Sequence, residues 1–258
     1  MSKTISVRDA TYLVEPGQNS GFWAAVDAGL WEPETFAIFD ELIRPDSLVL
    51  DVGAWIGATA LYAAQKSRLT VAFEPDPLAF PVLRDNVATN AKAAWADRLE
   101  IVNKAVNADG HDVSLGSRGA GGDSMSSILF SSCDTSWRVQ GASIYDIVDY
   151  YGKSGQPIFL KIDIEGGEYD LIPKIPDVLS DLRVSAMISL HPSFLRSSCK
   201  HTHGNQWRGA FGAAHAALID ALPRNKSVTF GRSGSRNRVL AKLRARLTGS
   251  FSRSILIR

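Results

Sequence analysis

The chemistry in this chain is concentrated in three short runs. The first, Asp51-Val52-Gly53-Ala54-Trp55-Ile56-Gly57, sets a carboxylate ahead of two glycines. The second, Val71-Ala72-Phe73-Glu74-Pro75-Asp76-Pro77, brings Glu74 23 residues after Asp51. A glycine turn between strand and helix lets backbone approach a ligand, and a carboxylate at the tip of the next strand holds ribose hydroxyls. The spacing therefore points to a nucleoside. A pyrophosphate cofactor wants G-x-G-x-x-G at a helix N-terminus, but only Gly53 and Gly57 stand in this turn, and Asp51 would repel a phosphate. No phosphate-loop Gly-Lys-Ser/Thr follows. The charges suit a ligand with a cationic amino group, such as the methionine part of S-adenosylmethionine, over NAD.

The third run, Lys161-Ile162-Asp163-Ile164-Glu165-Gly166-Gly167-Glu168, crowds three carboxylates into six residues. Buried together, they must be paired, protonated or bound to a cation, and Lys161 is one partner at hand. Transfer of a methyl group from a sulfonium to a hydroxyl is an in-line displacement that needs alignment and a base. Asp163 and Glu165 are the carboxylates placed for that role. Glu168, at the start of the following helix, reads as a cap of the turn. His191, before Pro192, ends a further strand and should face the same place. No metal is expected. The alternative is a divalent ion such as magnesium held by Asp163 or Glu165 with His201, His203 or His215.

The elements that must position these groups follow from periodicity. Residues 47–51, 69–74, 99–103 and 158–164 read as strands, and residues 58–64 and 78–90 as helices between them. Such alternation implies a parallel sheet with crossovers on both faces and a ligand crevice at the strands' carboxyl ends, where Asp51, Glu74 and Asn103 fall. Residues 1–20 read as weakly structured, and 20–43 as two helices, the second starting at Pro33. Residues 116–136 are rich in Gly and Ser. Gly121-Gly122-Asp123-Ser124-Met125-Ser126-Ser127 reads either as a mobile loop or as a lid over the crevice.

At 258 residues with 45% hydrophobic content, the chain can fold as one large domain. No apolar run is long enough to span a membrane, and the N-terminus lacks the apolar block of a signal peptide. Cys133 and Cys199 have no metal-ligand spacing, so a reduced, cytoplasmic setting is the simplest account. The charge is lopsided: residues 221–258 hold ten Lys/Arg and no Asp or Glu, against 18 basic and 27 acidic residues before them. This tail either carries the last strands, 251–258 with 228–230 as partner, or contacts an anionic surface. Within it, Val239, Leu240, Leu243 and Leu247 fall at helical spacing with cations opposite, a pattern that suits a membrane surface.

Together, Trp31-Glu32-Pro33-Glu34-Thr35-Phe36, the runs at Asp51 and Glu74, Gly122-Asp123-Ser124-Met125-Ser126-Ser127, the run at Lys161 and Ser189-Leu190-His191-Pro192 resemble the FkbM-like methyltransferases over about residues 20–195. The resemblance implies a seven-stranded class I methyltransferase (Rossmann-like) α/β fold and O-methylation of a hydroxyl on a sugar, glycan or natural-product acceptor. It implies that Asp51, Gly53 and Gly57 contact the methionine part and Glu74 the ribose of S-adenosylmethionine, with Asp163 and Glu165 in the active site. Ala54, Trp55, Pro75 and Asn103 complete the expected cofactor set, and His191 the catalytic one. The expected organisation is a helical segment over 1–45, a methyltransferase core over 46–222 and a basic segment over 223–258 that completes the sheet. Two other readings stay open: a nicotinamide-dependent oxidoreductase on the same sheet, and a binding module with a basic docking tail.

Overall fold

The computed structural model describes residues 1–117, 122, 126–130, 135–231 and 236–258. The chain opens with a hairpin, β1 (Lys3–Val7) and β2 (Ala10–Val14), then α1 (Ser20–Asp27) and α2 (Pro33–Leu42). The hairpin corrects the expectation that residues 1–20 are weakly structured. Ile5, Val7, Ala10, Tyr12 and Val14 are buried at period two, broken only by the turn at Arg8 and Asp9. That alternation was visible in the sequence.

Next come β3 (Leu48–Val52), α3 (Ala58–Ala63), β4 (Leu69–Phe73), α4 (Ala79–Thr89) and β5 (Leu99–Val102). The short strands β6 (Ala105–Asn107), β7 (Val113–Ser117), β8 (Thr135–Val139) and β9 (Gly141–Ser143) form two small pairs beside the main sheet. Then follow α5 (Ile144–Tyr151), β10 (Ile158–Ile162), α6 (Glu168–Leu171), α7 (Pro176–Ser180), β11 (Val184–Ser189), α8 (Pro192–His203) and α9 (Trp207–Ala221). The basic tail supplies β12 (Val228–Phe230), α10 (Arg238–Thr248) and β13 (Ser254–Ile257).

The main sheet has seven strands in the order β12-β13-β11-β10-β3-β4-β5. From β11 to β5 every neighbour is parallel, and β13 runs antiparallel between β11 and β12. Because side chains alternate along a strand, each strand feeds two cores. Leu48, Leu50, Val52, Ile158, Leu160 and Ile162 pack on the side of α5, α7 and α9. Val49 and Phe159 pack on the side of the hairpin and α1 to α4. The odd-numbered partners Asp51 and Lys161 share that second face, and β3–β10 register sets them side by side. Asn86 and Asn90 of α4 fasten the hairpin: Asn90 accepts from the Leu13 N–H at 2.9 Å and donates to its carbonyl at 2.7 Å, and Asn86 accepts from the Glu15 N–H at 2.8 Å. Among the described residues no helix is long and apolar enough to cross a membrane.

Candidate functional site

A cavity of about 520 Å³ opens at the carboxyl ends of β3, β4, β10 and β11. That volume is within the range of small-molecule sites. Of the expected residues, Gly53, Ala54, Trp55, Glu74, Pro75, Asp163, Glu165 and His191 line it. Asp51, Gly57 and Asn103 are not on its wall.

Asp51 is fully buried. Its carboxylate meets the Lys161 ammonium at 3.0 Å and accepts from the Thr59 hydroxyl at 2.7 Å. Lys161 also donates to the Gly53 carbonyl at 2.8 Å and lies 3.8 Å from Asp163. Burial opposes the lysine's charge, but the charges of Asp51 and Asp163 outweigh it and hold the ammonium protonated. Asp51 is thus spent on an internal pair that braces the turn. Asn103 donates to the Glu74 carbonyl at 2.8 Å and fixes the end of β4.

The glycines serve the protein's own packing. Gly53 has φ +86°, and a Cβ there would lie 1.8 Å from the Asp163 carbonyl oxygen. Gly57 has φ +100°, and its Cβ would meet Leu83 Cδ1 at 2.7 Å. What approaches Gly53 most closely is the end of β10, so the turn after β3 and the Asp163 turn are in direct backbone contact.

Glu74 projects into the cavity with both oxygens engaged, accepting from the Trp55 N–H at 2.7 Å and the Asp76 N–H at 2.8 Å. Burial pushes its carboxyl up to about 7 against those two hydrogen bonds. Each oxygen keeps a lone pair free for a ligand hydroxyl. Asp76, also buried, accepts from the N–H of Gly122 at 3.1 Å and the hydroxyl of Ser126 at 2.5 Å, while the Trp55 indole donates to the Gly122 carbonyl at 3.1 Å. The described parts of the Gly/Ser-rich loop are therefore tied to the cavity rim, and Ser126 and Ile128 line it. Gly121, Asp123, Ser124, Met125 and Cys133 lie outside the described residues.

At the other end, the turn after β10 is organised by Glu168. Its fully buried carboxylate accepts from the N–H of Ile164 at 2.9 Å and of Gly166 at 2.8 Å, and takes a hydrogen bond from His191 Nδ1 at 3.0 Å. It caps the turn, as expected, and also aims the imidazole. His191 Nε2 then faces Glu165 at 3.3 Å and Asp163 at 3.5 Å. Burial opposes the imidazolium, but the hydrogen bond and charge of Glu168, with the charges of Asp163 and Glu165, push His191 up to about 9. Burial also raises the two carboxyls, Glu165 to about 8, while Lys161 and His191 pull Asp163 back down.

These three residues are the one group of potential metal ligands among the described residues, with ligand atoms within 4.8 Å of one another. The histidines considered for a metal do not join them. His201 and His203 are exposed at the end of α8, and His215 is buried in α9 against Tyr169.

Sequence reasoning missed several wall residues. Phe22 and Trp31 join the expected Trp55 in an edge-to-face aromatic series, the Trp31 and Trp55 centroids lying 5.1 Å and 4.6 Å from Phe22. Glu32 lines the cavity too, its carboxyl raised by burial and by Asp163. Lys104, Asp170 and Arg253 complete the charged lining. A backbone signal marks the site: of the four described non-glycine residues with positive φ, Glu32, Trp55 and Glu165 all line the cavity, Arg8 alone lying elsewhere. Strain of this kind persists where the surroundings enforce it, commonly at functional sites.

The chain is similar over 95% of its length, at 15% identity and a TM-score of 0.46, to the methyltransferase FkbM of Methylobacillus flagellatus KT, and spans 56% of that protein. It is also similar, over 67% of its length and 79% of the other chain, to an rRNA methylase of Streptococcus thermophilus, at 12% identity and a TM-score of 0.34. No curated protein matches. The methyltransferase FkbM domain matches residues 51–212, from Asp51 in β3 through α8 and into α9. On that match the chain belongs to the FkbM methyltransferase family.

Proposed function

We propose that this protein is an S-adenosylmethionine-dependent O-methyltransferase on a class I methyltransferase fold, acting on a hydroxyl of a sugar-like acceptor. The observation that carries this reading is the joining, in one cavity, of a nucleoside-type carboxylate, Glu74, to the Asp163–Glu165–His191 group through the backbone contact at Gly53. The sheet order, with one antiparallel strand between β11 and β12, supports it.

The residues present fit the cofactor. Five carboxyl groups line the cavity, Glu32, Glu74, Asp163, Glu165 and Asp170, beside Lys104, Lys161, Arg253 and the protonated His191. The turn at Gly53 lacks the G-x-G-x-x-G of a pyrophosphate site, which argues against the nicotinamide alternative. Glu74 would take the ribose hydroxyls, and the Gly53–Trp55 turn would hold the methionine part. Since Asp51 is already neutralised by Lys161, the amino group and sulfonium would be met by the cavity carboxylates instead. When bound, the cofactor supplies an electrophilic methyl group.

The chain's own task is then to align the acceptor and remove its proton. His191 is protonated at neutral pH and so is not the base there; its role is to hold the carboxylates in place. Glu165, raised to about 8, is largely neutral at pH 7. Asp163, beside both Lys161 and His191, is the carboxylate best supported in its charged form and takes the proton. The aromatic wall of Phe22, Trp31 and Trp55 offers flat apolar faces to a sugar ring.

Calorimetric titration with S-adenosylhomocysteine tests the cofactor, and a folded sample that binds none at millimolar ligand refutes it. Transfer of labelled methyl to a panel of monosaccharides and nucleotide sugars tests the acceptor.

A further inference from the structure

In α10 the polarity is the reverse of what a helix on a protein surface should show. Its small residues face the body: Ala245 is fully buried, and a Cβ on Gly212 of α9 would lie 3.2 Å from the Arg246 backbone, so the two helices cross closely. Gly249, past its end, sits against the Trp207 ring. Its large apolar residues face outward, with Val239 67%, Leu240 61%, Leu243 48% and Leu247 72% exposed. These four share one stripe at helical spacing. Arg246 borders it on one side and Arg244 on the other, both exposed. Arg224 and Arg236, also exposed, stand with Lys226, Arg238 and Lys242 around a cleft at the start of the helix whose one acidic residue is Asp220.

We propose that α10 is an interfacial anchor that lies in the surface of an anionic lipid bilayer. The stripe of Val239, Leu240, Leu243 and Leu247 enters the acyl boundary, and the arginines beside it meet headgroup phosphates. Charge selects this occupant. No acidic residue occurs from 221 to 258, so a second copy docked stripe to stripe would set arginine against arginine. At 11 residues the helix is too short to span a bilayer and suited to lying on one. The chain leaving it reaches Arg253, on the cavity wall, five residues after Thr248. The anchor would therefore present the cavity to a hydroxyl carried by a membrane-borne molecule; that last clause rests on the methyl-transfer reading, and the anchoring does not.

The test is co-sedimentation of the full chain with vesicles. Phosphatidylcholine vesicles are compared with vesicles of equal parts phosphatidylcholine and phosphatidylglycerol. Binding is expected to the anionic vesicles only, and to be lost at high salt. Leu240→Gln/Leu243→Gln/Leu247→Gln should lower the partition coefficient by at least about a hundredfold. Arg244→Ser/Arg246→Ser should lower it roughly fivefold per charge, and keeps the test decisive if the leucine variant does not fold. Homocysteine-cofactor binding, measured in parallel, should be unchanged in both, which separates this proposal from the one on catalysis. The proposal is overturned if folded wild type fails to pellet with anionic vesicles at low salt, or if both variants pellet as wild type does. It is also overturned if sedimentation equilibrium shows a dimer that the leucine variant dissociates while vesicles are ignored.

Discussion

Replacing Gly53 by alanine is a direct test of the contact that joins the two halves of the site. Gly53 has φ +86°, in the region that costs an L-residue roughly 1–2 kcal/mol. The new Cβ would stand 1.8 Å from the Asp163 carbonyl oxygen and 2.8 Å from its carbon. That carbonyl is backbone and cannot rotate away, because the Asp163 N–H is held by the Val52 carbonyl at 2.9 Å. Overpacking of this kind adds about 1–3 kcal/mol. The sum is about 3 kcal/mol, which for a chain of this size lowers the melting temperature by about 6–12 °C. Gly57→Ala carries similar backbone strain at φ +100°, but its Cβ meets only the end of the Leu83 side chain, so it should cost less. Catalysis should separate the two further, since moving the Asp163 turn by an ångström misplaces the base, and such shifts cost about a hundredfold in rate. Thermal melts and turnover of both variants decide it. If Gly57→Ala is as damaging as Gly53→Ala in both measurements, the backbone contact is not what the glycine protects.

Asp51→Asn leaves Lys161 buried beside a neutral amide, with Asp163 at 3.8 Å as its remaining carboxylate; a loss of about 3 kcal/mol and a melting point lower by about 6–12 °C are expected. An unchanged melt would mean that the pair does not brace the turn. His191→Asn removes the cation between Asp163 and Glu165. The rate should fall about tenfold to a hundredfold, the worth of one charge-assisted hydrogen bond of roughly 1.5–3 kcal/mol, while homocysteine-cofactor affinity holds. In wild type, kcat/KM should decline as pH rises through about 9, where His191 loses its proton, and that limb should vanish in the variant. The melting temperature of the ligand-free protein should fall as pH rises from about 6.5 to 8. Glu165 and His191 both have raised values, about 8 and about 9, so the folded state holds more protons than the unfolded chain and stability drains away from about pH 6.5 to 8; above that Lys226, lowered to about 8 by burial, acts in the opposite sense. A melting temperature that rises over that interval would contradict these protonation states.

The alternation of apolar runs at periods of two and 3.6 made the parallel sheet from β3 to β11 legible, because its inner strands are buried on both faces and bounded by turn residues. The runs at Asp51, Glu74 and Lys161 were legible for the same local reason: their residue types and spacing are confined to a few consecutive positions. The hairpin of β1 and β2 carried a readable pattern, Ile5 to Val14, but its burial depends on Asn86 and Asn90, more than 70 residues away. Phe22, Trp31 and Glu32 come from the segment before the sheet, and nothing local in their sequence states that α1 and α2 fold over the crevice.

By itself the sequence determined which residues alternate, where the chain turns and which carboxylates sit at strand ends. Only the tertiary structure decided which of those carboxylates are free. Asp51 and Lys161 lie 110 residues apart, and strand register sets them 3.0 Å from each other, an ion pair that no local spacing announces. Glu168 and His191 meet because β10 and β11 end side by side. The apolar stripe of α10 was legible as a period, but its direction was set by Ala245 and Gly212, where small side chains let the helices close. Pairing and facing are relations between distant segments, and they exist only once backbone hydrogen bonds and close packing have brought those segments together.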